Sequence, residues 1–214
     1  MSERRWLAPR VLPGADPIRL DALLESPATG EARGVAVVAP PHPLYGGRMD
    51  NPVVDALARS LRACGYAALR FDYRGCGESS GSASDTAVDA DADYAAALAD
   101  VAALTPALTP AMRCAAGYSF GAAAALRALA HAPGIARALV VAPPVSMIDI
   151  AALAAFRGQV DVLLGDDDEY APLPRIERAL AGLAHVRLHV LAGTDHFFSL
   201  GTAELAARAR QVLG

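Results

Sequence analysis

The sequence has no basic stripe, no long apolar run and no paired cysteine framework, and each absence removes a class of function. Its 19 basic and 23 acidic residues are interleaved along 214 positions, for a net charge of −4. A nucleic-acid binder clusters its cations to neutralise phosphates, so no nucleic-acid partner is expected. Arg127 and His131 break the longest Ala/Leu tract before it reaches the length of a bilayer span, so no membrane partner is expected either. Pro9, Arg10 and Pro13 interrupt the N-terminal segment short of signal-peptide length. The three cysteines, Cys64, Cys76 and Cys114, are odd in number and contain no C-x-x-C pair, in a chain too long to need disulfide staples. A reducing, cytoplasmic setting is expected.

What is present is apolar material for a sizeable core, with 54% hydrophobic residues and a length between the usual spans of one and two domains. One domain over residues 1–214 is expected, since no repeat or low-complexity linker divides the chain. From Gly34 onward short apolar runs alternate with helical patterns. Strands are expected at Val35–Ala39, Tyr66–Phe71, Met112–Ala116, Ala138–Ala142, Val160–Leu164 and Val186–Leu191. Helices are expected at Pro52–Cys64, Ala87–Leu104, Phe120–His131, Ser146–Phe156, Leu173–Leu183 and Thr202–Leu213. This alternation predicts an α/β fold with a mostly parallel central sheet and helices on both faces. Ahead of it, Ile18, Leu20, Ala22 and Leu24 alternate with Arg19, Asp21 and Leu23. That period of two predicts an antiparallel edge hairpin, with Trp6–Leu12 as partner and Gly14–Pro17 as turn. The helix at Phe120–His131 is apolar nearly all round and should pack closely against the sheet.

A Gly-x-Ser-x-Gly pattern occurs twice, around Ser119 and around Ser79. A nucleophilic serine needs a tight strand-to-helix turn with small neighbours, because the crowded backbone leaves no room for side chains. Ser119 stands between the strand at Met112–Ala116 and the helix beginning at Phe120. Ser79 follows a Gly-rich loop, leads into Ser82-Ala83-Ser84-Asp85 and reads as a turn. The competing reading of Ser119 is a helix N-cap.

A serine hydroxyl needs a base to take its proton and an acid to orient that base. Of the five histidines, His185 and His189 share a strand face with Arg187 and read as partly solvated sheet surface, while His131 ends a helix, where a cation complements the dipole. His42, in a Pro-rich turn, reads as packing or capping. His196 stands in the loop between the last strand and the last helix, at the end of the sheet where such folds assemble their sites. The acid should come from the loop after the preceding strand, where Gly165 is followed by Asp166, Asp167, Asp168 and Glu169. That run lacks the spacing of a Ca²⁺ loop, so no metal is expected. Asp195 is a further candidate.

This order of serine, acid and histidine resembles that of the α/β-hydrolase superfamily, and the resemblance extends from Gly34 to the C-terminus. Gly165-Asp166-Asp167-Asp168 looks like the family's acid loop, in which the aspartate three residues after the glycine carries the role. The resemblance therefore selects Asp168. The run from Asp72 to Ser79 is similar to the Asp-x-Arg-Gly-x-Gly-x-Ser loop found after an early strand in many members, a structural loop that accounts for the second serine motif. The run from Pro40 to Asn51 looks like the His-Pro-His-Pro-Leu-Tyr-Gly-Gly-x-Met-Asp-Asn stretch of a small bacterial subgroup, with Pro40 replacing the first histidine. In the superfamily this loop donates one backbone N–H to the oxyanion hole and the residue after the nucleophile, here Phe120, donates the other. Pro43 has no N–H to give, which leaves His42, Leu44 or Tyr45, with Leu44 and Tyr45 ranked first.

The resemblance implies a serine esterase or thioesterase that acts on a small-molecule substrate through an acyl-enzyme and uses no cofactor. Peptidase or C–C hydrolase chemistry on the same triad, or a non-catalytic interaction module, are the alternatives. A nucleotide-binding reading of Gly75-x-Gly77 fails at Ser80, where a third glycine or alanine belongs. The short stretch from Pro143 to Gln159 leaves room for one helix and no inserted cap, so an open site that favours small or accessible acyl groups is expected.

Overall fold

The computed structural model describes residues 1–9, 11, 15–104, 113–132 and 134–214. Its strands are β1 (Ser2–Leu7), β2 (Leu20–Glu25), β3 (Gly34–Ala39), β4 (Tyr66–Phe71), β5 (Arg113–Tyr118), β6 (Ile135–Val141), β7 (Gln159–Gly165) and β8 (Val186–Leu191). Its α-helices are α1 (Pro52–Ala63), α2 (Ala87–Leu104), α3 (Phe120–Ala128), α4 (Ile150–Ala155), α5 (Leu173–Leu180) and α6 (Thr202–Leu213). The strands form one sheet in the order β1-β2-β4-β3-β5-β6-β7-β8, parallel from β4 to β8, with β1 and β2 antiparallel at one edge.

Strand order decides where the helices lie. From β3 the chain moves toward the antiparallel edge to reach β4, then crosses back over β3 to β5 and continues outward to β8. Right-handed crossovers place α1 on one face and α2 to α5 on the other. Helix α6 returns to pack on α1. Connections leave the adjacent strands β3 and β5 in opposite directions, which opens a crevice at their carboxyl ends. The central strands are buried on both sides, so β3 and residues 162–164 of β7 read as continuous apolar runs.

The six expected parallel strands and the layered α/β architecture are present, and several boundaries move for local reasons. The hairpin forms, but β1 covers residues 2–7 rather than 6–12, pairing Ser2 with Glu25 and Leu7 with Leu20. Pro9 cannot donate to a ladder, and the Arg4 guanidinium holds both Asp21 carboxylate oxygens at 2.8 Å. That contact leaves Asp21 buried on the face expected to be polar. Part of the expected turn, including Gly14, and the expected first residue of β5, Met112, lie outside the described residues. Helix α1 stops at Ala63 and α5 at Leu180, each followed within two residues by a positive-φ glycine, Gly65 and Gly182. The expected helix at 146–156 is a 3₁₀ turn (Val145–Met147) followed by α4, whose N-cap Asp149 accepts the Ala152 N–H. Helix α3 ends at Ala128, and Phe120 to Leu126 are buried. Among the described residues, no helix is long and apolar enough to cross a membrane.

Tyr94 of α2 reaches into the sheet. Its buried hydroxyl lies 3.1 Å from the Val37 carbonyl and accepts the Ala116 N–H at 3.0 Å, joining β3 to β5 just below the crevice. Tyr94→Phe removes a buried hydroxyl that bonds both strands, so it should cost about 0.5–1.5 kcal/mol of stability. Urea unfolding measures this, and a loss under about 0.5 kcal/mol would contradict the role given to the hydroxyl.

Candidate active site

Ser119 follows the last residue of β5 and precedes α3. Its φ of 54° and ψ of −117° lie where an L-residue is strained, and its side chain makes no capping hydrogen bond, so the N-cap reading does not describe it. Such strain costs on the order of 1–3 kcal/mol and persists only where the surroundings impose it. Two glycines provide that setting. A Cβ on Gly117 would sit 2.4 Å from the Gly121 carbonyl oxygen, and one on Gly121 would sit 2.4 Å from the Pro40 carbonyl oxygen. The alanine run after Gly121 continues this close approach of α3 to the sheet, and the Ser119 N–H is held by the Val141 carbonyl at 2.9 Å.

His196 stands in the loop between β8 and α6, with Nε2 at 3.0 Å from Ser119 Oγ and Nδ1 at 2.8 Å from Asp168 Oδ2. A carboxylate opposite Nδ1 places the imidazole proton there and leaves the Nε2 lone pair facing the serine hydroxyl. Ser119, Asp168 and His196 are all buried. The other Asp168 oxygen accepts the backbone N–H groups of Tyr170 at 2.8 Å and Ala171 at 2.7 Å, which fixes the carboxylate. The acid and histidine loops are themselves locked together. Asp167 N–H donates to the Thr194 carbonyl at 3.2 Å, and a Cβ on Gly165 would fall 1.9 Å from that same oxygen. The Tyr118 hydroxyl donates to the His196 carbonyl at 2.9 Å, and burial with Asp168 nearby raises its pKa, keeping it a donor.

The remaining acids of the cluster point elsewhere. Asp166, Asp167 and Glu169 are exposed. Asp195 accepts from the Ser199 hydroxyl at 2.6 Å, and this bond holds its carboxyl below the usual carboxylate range.

The loop after β3 forms a 3₁₀ turn, Pro43–Tyr45, with His42 as its N-cap. The Leu44 N–H donates to His42 Nδ1 at 3.3 Å and the Tyr45 N–H to the His42 carbonyl at 3.1 Å, and both side chains are exposed. The two N–H groups ranked first for the oxyanion are thus already engaged inside the turn. The legible signal was Pro43: a proline at the first position of a turn makes the preceding residue its cap. The His42 N–H has no acceptor among the described residues, and His42 lines the same cavity as Ser119. Phe120, first residue of α3, has an N–H without an intrahelical acceptor.

The family model described as "Serine aminopeptidase, S33" matches residues 46–164, more than half of the chain. The chain belongs to this family of the α/β-hydrolase superfamily. The match includes Ser119 and stops before Asp168 and His196. An uncharacterised protein of Rickettsia prowazekii is 32% identical over 188 residues, covering 84% of this chain and 78% of that protein. A solved α/β serine hydrolase homologue from Coxiella burnetii is 29% identical with a TM-score of 0.84, covering 96% of this chain and all of its own. A Xanthomonas campestris protein described as an α/β serine hydrolase without lid is 29% identical with a TM-score of 0.83, covering 98% of this chain and 92% of that one.

In this member of the family the second serine motif is structural. Ser79 Oγ donates to the Asp72 carbonyl at 2.9 Å and accepts the Asp21 N–H at 2.8 Å, tying the loop to β2. Asp72 in turn accepts from the Met49 N–H at 2.7 Å and Arg48 Nε at 3.0 Å, anchoring the loop that carries His42. Gly121→Ala should push α3 off β3 and destabilise the protein by about 1–3 kcal/mol. Chemical denaturation reads this directly, and unchanged stability would show that the turn tolerates a Cβ.

Proposed function

We propose that this hydrolase cleaves carboxylic esters or thioesters of small molecules through an acyl-enzyme, with Ser119 as nucleophile. The observation that carries the proposal is the continuous hydrogen-bonded line from Asp168 through His196 to a strained Ser119. His196 Nε2 takes the hydroxyl proton as Ser119 Oγ bonds to the carbonyl carbon, and Asp168 stabilises the imidazolium and fixes its orientation. The tetrahedral intermediate collapses as His196 returns the proton to the departing alkoxide or thiolate. Water, deprotonated by the same histidine, then attacks the acyl-enzyme and releases the acid and free Ser119.

Negative charge on the former carbonyl oxygen falls to the Phe120 N–H and, in place of Leu44 or Tyr45, to the His42 N–H. Each such donor contributes ~10²–10³ in turnover. Between β6 and β7 the chain holds only the 3₁₀ turn and α4, which supports reading residues 1–214 as one domain without an inserted cap. Short loops offer little remote binding energy to lower a difficult barrier. Esters and thioesters, whose leaving groups depart more readily than amines, match such a site. The three cysteines are free, in keeping with a reducing cytoplasm.

A panel of p-nitrophenyl esters and acyl thioesters, together with labelling by a fluorophosphonate probe, tests the proposal. Ser119→Ala should abolish labelling and turnover. Asp168→Asn should reduce kcat by roughly 10⁴-fold, as loss of the orienting acid does in other triads. Equal turnover by the parent and Ser119→Ala proteins would refute the assignment.

A further inference from the structure

We infer that the cavity beside Ser119 receives an uncharged acyl group carrying a flat ring and disfavours substrates with an ammonium or carboxylate next to the scissile carbonyl. The inference rests on the ester-hydrolase reading above and concerns what that site accepts. The cavity has a volume of about 590 Å³, and no Asp, Glu, Lys or Arg lines it among the described residues. Its walls are rings. On one side His42 lies 4.6 Å from Tyr45 and 4.8 Å from Phe120. On the other, Tyr170 and Phe197 meet edge to face at 5.8 Å, and both contact the His196 ring. Met147 adds a side chain that adapts to flat surfaces, and Pro41, Asn51 and Pro144 also line the space. A planar apolar group between these walls gains dispersion and offset stacking.

Four charges of the surrounding loops hold other partners, while exposed Asp85 reaches His42 only through its field. Asp149 accepts the Ala152 N–H at 2.9 Å, Asp168 is filled by His196 and two backbone N–H groups, and Asp195 binds Ser199. Arg48 is held on buried Asp72. An aminopeptidase must hold the free α-ammonium of its substrate, and the lining offers no carboxylate for it. Tyr and Phe faces attract cations, but this returns less than the hydration a primary ammonium gives up on entering an apolar cavity. A carboxylate meets negative ring faces and fares worse. The lining therefore departs from the aminopeptidase description attached to the family, and it selects acyl groups by charge and shape rather than by smallness.

The test compares the ethyl esters of 3-phenylpropanoic acid, phenylalanine and 3-cyclohexylpropanoic acid with the monoethyl ester of benzylmalonic acid, at a pH where the amino ester is protonated and the free carboxyl of the malonate is ionised. The phenylpropanoate should exceed the two charged esters in kcat/KM by at least roughly tenfold, and the cyclohexyl ester by at least about threefold. Met147→Glu, against Met147→Gln as its uncharged counterpart, should shift the ratio toward the phenylalanine ester by about fivefold or more. Equal or faster turnover of the phenylalanine or cyclohexyl ester, or no difference between the two Met147 variants, overturns the inference. Fluorophosphonate labelling, run in parallel, separates the two levels. A protein that labels at Ser119 yet hydrolyses all four esters alike overturns the cavity inference alone, whereas one that neither labels nor hydrolyses any ester overturns both.

Discussion

Everything about this site depends on how closely α3 can approach β3. The gap is set by Gly121 against the Pro40 carbonyl and Gly117 against Gly121, contacts in which a single added carbon would collide with backbone. Because the helix sits so near the sheet, the turn between them is too tight for ordinary dihedrals, and Ser119 takes up the strain with φ of 54°. The same tightness lifts the serine side chain clear of its own helix, so that Oγ meets His196 rather than capping α3. The fold is thus tightly constrained at one point, the turn that carries Ser119.

The partners reach this point along separate elements that constrain one another. Gly165 lets the acid loop pass against Thr194 of the histidine loop, so the two loops are held together, and Tyr118 fastens the His196 backbone to the end of β5. Asp72 and Arg48 do similar work for the loop bearing His42. The Tyr118 and Asp72–Met49 contacts join a side chain to backbone, which fixes loop position whatever the identity of neighbouring residues. Strand order supplies the rest: the reversal of direction between β3 and β5 leaves room at their carboxyl ends for two loops to converge on one serine.

Where expectation and structure part, the cause is long-range. The hairpin slid toward the N-terminus because Arg4 and Asp21, distant in sequence, pair at 2.8 Å, and a period-two pattern cannot register the partner's position. In the loop after β3, hydrogen bonds inside the turn consume the Leu44 and Tyr45 N–H groups. Only Pro43 hinted at that. The acidic run contained four candidates of equal chemistry, and which one is buried beside His196 follows from how the loop turns after Gly165. The rings lining the cavity come from loops far apart in the chain, so its shape could not be read from any one segment.

By itself the sequence determined the alternation of buried strands and helices, the glycine spacing that makes a tight turn at Ser119, and the order in which serine, acid and histidine occur. These are legible because periodicity and the lack of a Cβ are local properties of the chain. Tertiary structure brought Asp168, which resemblance picked out and spacing did not, against His196, and alone decided which backbone N–H groups remain free near Ser119 and that the cavity is lined by rings without Asp, Glu, Lys or Arg. Those outcomes depend on distances between residues brought together by the sheet, and no local pattern encodes a distance across the fold.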